Sequence, residues 1–420
     1  MYRDTVVILN MKKKIDINQI EIGMYVSELD RPWRESPFLF QGFEVKDEED
    51  ISALQKLCSY VIIDTDEGRD VDDKLKWRID PLLATDTGEE KKKKVPEGGY
   101  KKKTDLFEEM PKAREAERKT RNVIQTIMTD VRLGRSVDTS AAKEVVGELT
   151  ESIVRNPDAM MCLSMLKEAD EYTALHSLRV CILAVAFGRE LGYPIDQLEQ
   201  LGTGALLHDL GKLRISLDIL NKPGKLTTEE YDIIKSHVPL GVQVLEDSKG
   251  GIADNSIDVA RFHHERIDGN GYVSGRRNGE IPEFGRIGGI VDCYDAITSD
   301  RVYKKGISAY DALKKMYEWR DSAFDGVLVE KFIQCMGIYP IGSLVEMNTG
   351  SVGVVATINR ERRLRPKVVL VLTSDKKPFD KPKVIDMMED KASVRELEIK
   401  HVLASGTYGI NPVSYLPIQI

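Results

Sequence analysis

The chain of 420 residues holds six histidines, and five of them, His176, His208, His237, His263 and His264, fall within one region of helical periodicity. Two places put ligand types side by side: Asp209 follows His208, and His263 adjoins His264. Neutral imidazoles and carboxylates bind divalent metals through nitrogen and oxygen, and a set without thiolate favours iron or manganese, with zinc, nickel and magnesium left open. The carboxylate of Asp209 has two oxygens and can bridge two cations. Gly211, between Leu210 and Lys212, permits a tight turn at the end of the helix that carries His208 and Asp209. Asp292 sits in the helical pattern Ile287, Ile290, Val291, Tyr294, Ile297.

A single histidine on an apolar helix is more often a hydrogen-bonded core residue than a ligand. Five imidazoles and two carboxylates buried in one bundle are a different case. Without a cation they leave polar groups in need of partners, which is costly. Helical bundles commonly build metal sites from facing side chains in this way.

Helix-periodic sequence runs from Glu108 to about Gly337, and its helix starts are marked. Thr227-Thr228-Glu229-Glu230 is a capping box, and Ser308 precedes the run Ala309 to Trp319. Before it, Lys14 to Asp64 alternates apolar residues with turn signals and includes a short helical pattern, Glu48 to Leu57, and an apolar strand, Tyr60 to Ile63. After Pro340 the pattern turns to β, at 344–347, Ser351 to Ile358 and Lys367 to Leu372. The reading is a multi-domain, mainly α protein. It comprises a small N-terminal α+β domain (1–85), a charged linker (86–107), a helical catalytic domain (108–340) and a β-rich C-terminal extension (341–420). Lys91 to Lys94 and Lys101 to Lys103 read as solvated linker, and Arg360, Arg362, Arg363 and Arg365 as a solvated turn.

Composition excludes some classes. With 41% hydrophobic and 31% charged residues the chain can bury real cores. A net charge of −8 argues against a general DNA or RNA binder, because such binding neutralises many phosphates with Lys and Arg. A small anionic ligand then needs local positive charge, such as metal ions. No apolar run approaches the roughly 20 residues that span a bilayer. Five cysteines form no C-x-x-C pair and read as reduced thiols, so the expected location is the cytoplasm.

Five stretches run in the order of a known family: 172–177 (Tyr-Thr-Ala-Leu-His-Ser), 208–212 (His-Asp-Leu-Gly-Lys), His237, 263–272 (His-His-Glu-Arg-Ile-Asp-Gly-Asn-Gly-Tyr) and 291–301 (Val-Asp-Cys-Tyr-Asp-Ala-Ile-Thr-Ser-Asp-Arg). Over roughly residues 160 to 337 the chain resembles the HD superfamily of metal-dependent phosphohydrolases, and within it the HD-GYP phosphodiesterases. Lys14 to Asp64 resembles the small uncharacterised domain that often precedes HD-GYP modules. The resemblance implies a central HD-type helical bundle hydrolysing cyclic dinucleotides, above all cyclic di-GMP to linear pGpG, with GMP after a second cut. It implies two metals, one held by His176, His208, Asp209 and Asp292, the other by Asp209, His237, His263 and His264. Lys212 would face the substrate phosphate and Arg301 would help hold the nucleotide. The chain departs from the family at Val273, where proline gives the Gly-Tyr-Pro of the name, and at Val302. Valine has a freer φ than proline and should loosen this loop without emptying the metal site. Family members with a third metal carry Glu four residues before the first histidine; Tyr172 stands there, so two are expected.

Two other readings compete. A catalytically silent sensor of a cyclic dinucleotide or protein has Val273 as its best support. A different HD phosphohydrolase, acting on nucleoside mono- or triphosphates, needs only His176, His208, Asp209 and Asp292 and leaves His237, His263 and His264 without a task. Signalling partners at the Gly271-Tyr272-Val273 loop or the N-terminal domain, and a homodimer, are left open, as is the choice between cyclic di-GMP and mixed cyclic GMP-AMP.

Overall fold

The computed structural model describes residues 12–31, 33, 36, 38, 40–65, 67–69, 100–165, 172–300, 305–360, 362–389, 394 and 396–416. Arg301 and residues 70–99, which include most of the expected linker, lie outside them. The chain divides into two units, Met1–Lys93 and Lys94–Ile420.

The first unit is a four-stranded antiparallel sheet with one helix. Strands β1 (Lys12–Asp16), β2 (Tyr25–Leu29), β3 (Phe43–Glu44) and β4 (Tyr60–Asp64) lie in the order β1-β4-β2-β3. Side chains alternate across a strand, so Ile15, Val26, Val61 and Ile63 reach one core with Leu54 of helix α1 (Glu48–Leu57). The carboxylate of Asp47 starts α1 by accepting from the Asp50 amide at 2.9 Å.

The second unit is a helical bundle continued by a five-stranded sheet. Its helices are α2 (Leu106–Arg132), α3 (Thr139–Arg155), α4 (Pro157–Ser164), α5 (Tyr172–Glu190), α6 (Ile195–Leu207), α7 (Leu217–Leu220), α8 (Thr228–Lys235), α9 (His237–Glu246), α10 (Asp254–Phe262), α11 (Glu283–Thr298), α12 (Ala309–Glu318) and α13 (Gly326–Met336). Thr227 and Ser308 cap α8 and α12 as their sequences require. At the centre α5 packs on α6 and α11, and α10 packs on α6, α9 and α11. None of the helices among the described residues is long and apolar enough to cross a membrane.

The packing is close enough to exclude side chains at two glycines. A Cβ on Gly204 of α6 would lie 2.4 Å from the Ser256 carbonyl oxygen of α10. One on Gly211 would lie 1.9 Å from the carbonyl oxygen of His237. Both contacts are backbone against side chain, so relief requires moving a helix rather than a rotamer. The glycine that reads in sequence as a turn residue therefore also lets the turn after α6 approach the first residue of α9.

The C-terminal sheet holds β5 (Leu344–Met347), β6 (Val352–Thr357), β7 (Lys367–Leu372), β8 (Pro378–Asp386) and β9 (Ile399–Leu403), all antiparallel in the order β8-β7-β6-β5-β9. Strands β8 and β9 go beyond the three that the sequence pattern gives. β8 is an edge strand with two prolines and mostly exposed side chains, so it lacks the alternation that marks a half-buried strand. β6, in contrast, is buried along five of its six residues.

Charged residues tie this unit together. Arg360, just after β6, reaches Asp158 of α4 at 3.4 Å and Glu190 of α5 at 3.3 Å. Arg365 donates to the carbonyls of Met387, Val394 and Leu397. These two arginines are thus structural and not part of a solvated turn. The end of the charged stretch is docked as well: Lys102 pairs with Asp158 at 2.6 Å, Tyr100 donates to the Tyr193 carbonyl, and the Lys103 amide donates to the Arg155 carbonyl.

Candidate metal centre

Three helix ends and two helix interiors converge on one point. His208 closes α6, His237 opens α9 and His263 closes α10. His176 comes from α5 and Asp292 from α11. Helix ends suit the task because a side chain there can leave the helix axis without breaking an internal backbone bond. All five of these residues and Asp209 are buried, and His264 is partly buried.

Asp209 is the pivot. Its Oδ2 lies 3.6 Å from His176 Nε2 and 3.4 Å from His208 Nε2, while its Oδ1 lies 3.5 Å from His237 Nε2 and 3.8 Å from His263 Nε2. Asp292 Oδ1 stands 3.2 Å from His176 Nε2 and 3.8 Å from His208 Nε2, and its Oδ2 stands 4.0 Å from His264 Nδ1. Two groups able to hold a metal ion result, Asp209 with His237, His263 and His264, and His176 with His208 and Asp209. They share Asp209.

The imidazoles are aimed from behind. Nδ1 of His208 and of His237 lies 2.7 Å from the carbonyl oxygen three residues earlier, and Nδ1 of His263 lies 2.9 Å from that of Ala260. Donation there fixes the proton on Nδ1 and leaves Nε2 as the free lone pair facing Asp209. His176 differs: its Nδ1 is 2.7 Å from Asp295 Oδ2. Asp295 in turn accepts from Arg179 Nε at 2.6 Å and Nη2 at 3.0 Å, and the same Nη2 donates to Ser299 Oγ at 3.0 Å.

These donors fit a metal centre. His208 Nε2, Asp209 Oδ1 and His264 Nε2 are buried with no hydrogen-bond partner, which is an expensive state for polar atoms and one that a cation relieves. Burial alone would push the Asp209 carboxyl up, but Lys212, His208 and His176 hold it well below the usual carboxylate range. Asp292 behaves alike, with burial opposed chiefly by His176. Burial drives His263 well below its ordinary value, lowers His237, and brings His264 down to about 3. Ionised carboxylates beside the neutral imidazoles of His237, His263 and His264 are the protonation states that ligation requires, whereas at His176 burial is outweighed by Asp209, Asp292 and Asp295, which hold it well above its ordinary value until an ion displaces the proton.

Lys212 sits at the rim, a third exposed, with its ammonium 2.5 Å from Asp209 Oδ2. The loop after α10 is clasped by buried Glu265, which accepts from the amides of Ser274 at 2.7 Å and Arg276 at 3.0 Å. The clasp sets Tyr272 against His264, ring centroids 4.5 Å apart and 29° between planes. Val273 points out, 51% exposed. Sequence reasoning gave no task to Arg179, Asp295 or Glu265. The signal was helical spacing: Arg179 follows His176, and Asp295 follows Asp292, by three residues, one turn along the same face.

Comparison with known proteins places the chain in a family. Three sequence families match: a domain of unknown function (DUF3391) at residues 12–142, an HD domain at 161–328, and a KOW domain associated with HD domain at 344–401. The cyclic di-GMP phosphodiesterase PA4108 of Pseudomonas aeruginosa is 34% identical over 379 residues, covering 90% of this chain and 89% of its own. A cyclic di-GMP phosphodiesterase of Thermotoga maritima is 34% identical over 178 residues, 42% of this chain and 48% of its own. Among solved structures, Bd1817, an HDG"Y"P protein from Bdellovibrio bacteriovorus, aligns with a TM-score of 0.45 at 17% identity, over 76% of this chain and 98% of that one. The matched HD domain makes the protein an HD-domain hydrolase. The chain belongs to the HD-GYP family, with a DUF3391 domain ahead of its HD domain.

Proposed function

We propose that the protein is a dinuclear phosphodiesterase that opens cyclic di-GMP to linear pGpG, with GMP as the product of a second cut. The observation that carries this reading is the division of Asp209, whose two oxygens each face their own set of imidazoles. His176, His208, Asp209 and Asp292 would hold one ion, and Asp209, His237, His263 and His264 the other, with iron or manganese best suited to the donors. When bound, such a pair supplies an activated water and neutralises charge at a phosphate. A mononuclear nucleotide hydrolase would leave His237, His263 and His264 idle, yet His237 and His263 face the second oxygen of Asp209 and His264 joins them in one group able to hold an ion.

Hydrolysis breaks one P–O3′ bond, forms one new P–O bond from water, and delivers a proton to the departing 3′ oxygen. Negative charge builds on the non-bridging phosphate oxygens as this happens. Lys212 is the cation at the rim and is assigned to that charge, a change of partner from Asp209 to substrate. Asp209 and Lys212 are therefore the residues given catalytic roles, and Arg301 is assigned to the nucleotide. Tyr272, stacked on His264, walls the substrate side of the second position.

The test is to load metal-free protein with manganese or iron, count the ions bound, and incubate it with cyclic di-GMP and, separately, with mixed cyclic GMP-AMP. Two ions per chain and pGpG from cyclic di-GMP are expected. Protein that holds both ions and binds cyclic di-GMP but leaves every cyclic dinucleotide intact is a sensor, and the enzyme reading is then wrong.

A further inference from the structure

The backs of the imidazoles are not equivalent. His208, His237 and His263 lean on neutral carbonyls of their own helices, whereas His176 leans on a carboxylate. A carboxylate behind a ligating histidine fixes its tautomer and raises its basicity more than a neutral carbonyl does, and loss of such a partner typically weakens metal binding about 10- to 100-fold. The carboxylates of the ligands are unequal too. Around His176 and His208 stand Asp209 and Asp292, the nearest oxygen at 3.2 Å, whereas His237 and His263 share Asp209 Oδ1 and His264 meets Asp292 only at 4.0 Å.

We infer that the two metal positions differ in affinity, the His176 position being the tighter, and that Asp295 is the positioning residue that makes it so. This rests on the dinuclear reading above. Two cations stand on the same side and oppose the effect. The guanidinium of Arg179 is committed to Asp295 through both Nε and Nη2, where it anchors the carboxylate in place behind His176. Lys212 is partly exposed and can exchange Asp209 for water when an ion arrives. The structural alternative is that Asp295 and Arg179 form only a buried ion pair tying α5 to α11. That alternative gives no reason for the carboxylate to lie 2.7 Å behind one ligand, and it makes a different prediction.

The experiment is titration of metal-free full-length protein with Mn²⁺ while the free ion is followed by electron paramagnetic resonance. The wild-type chain should take up two ions in two separable steps. His176→Ala should remove the tighter step and His237→Ala the weaker one. Asp295→Asn should weaken the tighter step about 10- to 100-fold, leave the weaker step within about threefold, and be partly rescued by Asp295→Glu. Equal steps in the wild type, loss of the weaker step in His176→Ala, or equal weakening of both steps in Asp295→Asn overturns the inference. The two histidine variants decide the order of affinity even where Asp295→Asn fails to fold. A wild-type chain that takes up a single ion removes the dinuclear reading, and this inference with it; two ions bound in the opposite order removes the inference alone.

Discussion

The ring of Tyr272 lies flat against that of His264, 4.5 Å between centroids, and its own amide donates to the His264 carbonyl at 3.1 Å. The loop is thereby attached to the histidine cluster through a ring and a backbone bond at once. Replacing Tyr272 with alanine removes the ring contact, worth about 0.5–1.5 kcal/mol, and keeps the backbone bond. Turnover should fall about 2- to 10-fold with metal content unchanged. Steady-state kinetics alongside elemental analysis checks both, and a loss of bound metal would show that the ring holds the ligand rather than the loop.

Asp209→Ala should lose both ions and all measurable hydrolysis while keeping the helical circular dichroism of the parent. Asp209 is the residue shared by both groups able to hold an ion. A variant that retains two ions and full activity would remove Asp209 from the centre of the site.

Lys212→Ala separates substrate from metal. An ammonium that meets charge developing in the transition state contributes mainly to kcat, and its loss should cost about 10²- to 10³-fold there with two ions still bound. Unchanged kinetics would leave Lys212 as a partner of Asp209 and nothing more.

Acid should destabilise the metal-free protein. His237, His263 and His264 have folded values below their ordinary one, so below about pH 6.5 the unfolded chain binds protons that the native state does not, and stability falls as pH falls. His176 works in the opposite sense, because three carboxylates hold it above its ordinary value against the effect of burial, but it is one group against three. The lowered carboxyls of Asp209 and Asp292 stay ionised across this window and contribute nothing to the slope. In chelator, Tm should drop between pH 7 and pH 5, and a flat profile would contradict the neutral imidazoles.

Gly211→Ala should damage the site from behind. Its added methyl would meet the His237 carbonyl at 1.9 Å, so either α9 with His237 or the turn that follows Asp209 must shift. Expected are a lowered Tm and weakened uptake of Mn²⁺, read by thermal melting and Mn²⁺ titration.

The sequence carried the helices, the caps at Thr227 and Ser308, and the residues now found within a few ångströms of Asp209. It carried them because ligand-type side chains are rare and clustered, and because capping residues act locally. It did not carry Asp295 behind His176, since an aspartate one turn from another reads as an ordinary polar face until α5 is laid against α11. β8 was hidden for a different reason: an exposed edge strand has no buried face to imprint on its pattern. Arg360 read as solvated because its partners, Asp158 and Glu190, are far away in the chain.

That last contact bears on how the protein can be dissected. A chain cut after α13 would lose Arg360 and leave Asp158, almost fully buried, with Lys102 as its remaining cation. It would also remove the contact of Cys162 Sγ in α4 with the Ala356 carbonyl of β6 at 3.9 Å. Sequence periodicity suggests that the catalytic part ends near Gly337. A fragment that ends there should therefore melt below one that extends through β9, because the shorter piece gives up the Arg360 contacts to α4 and α5.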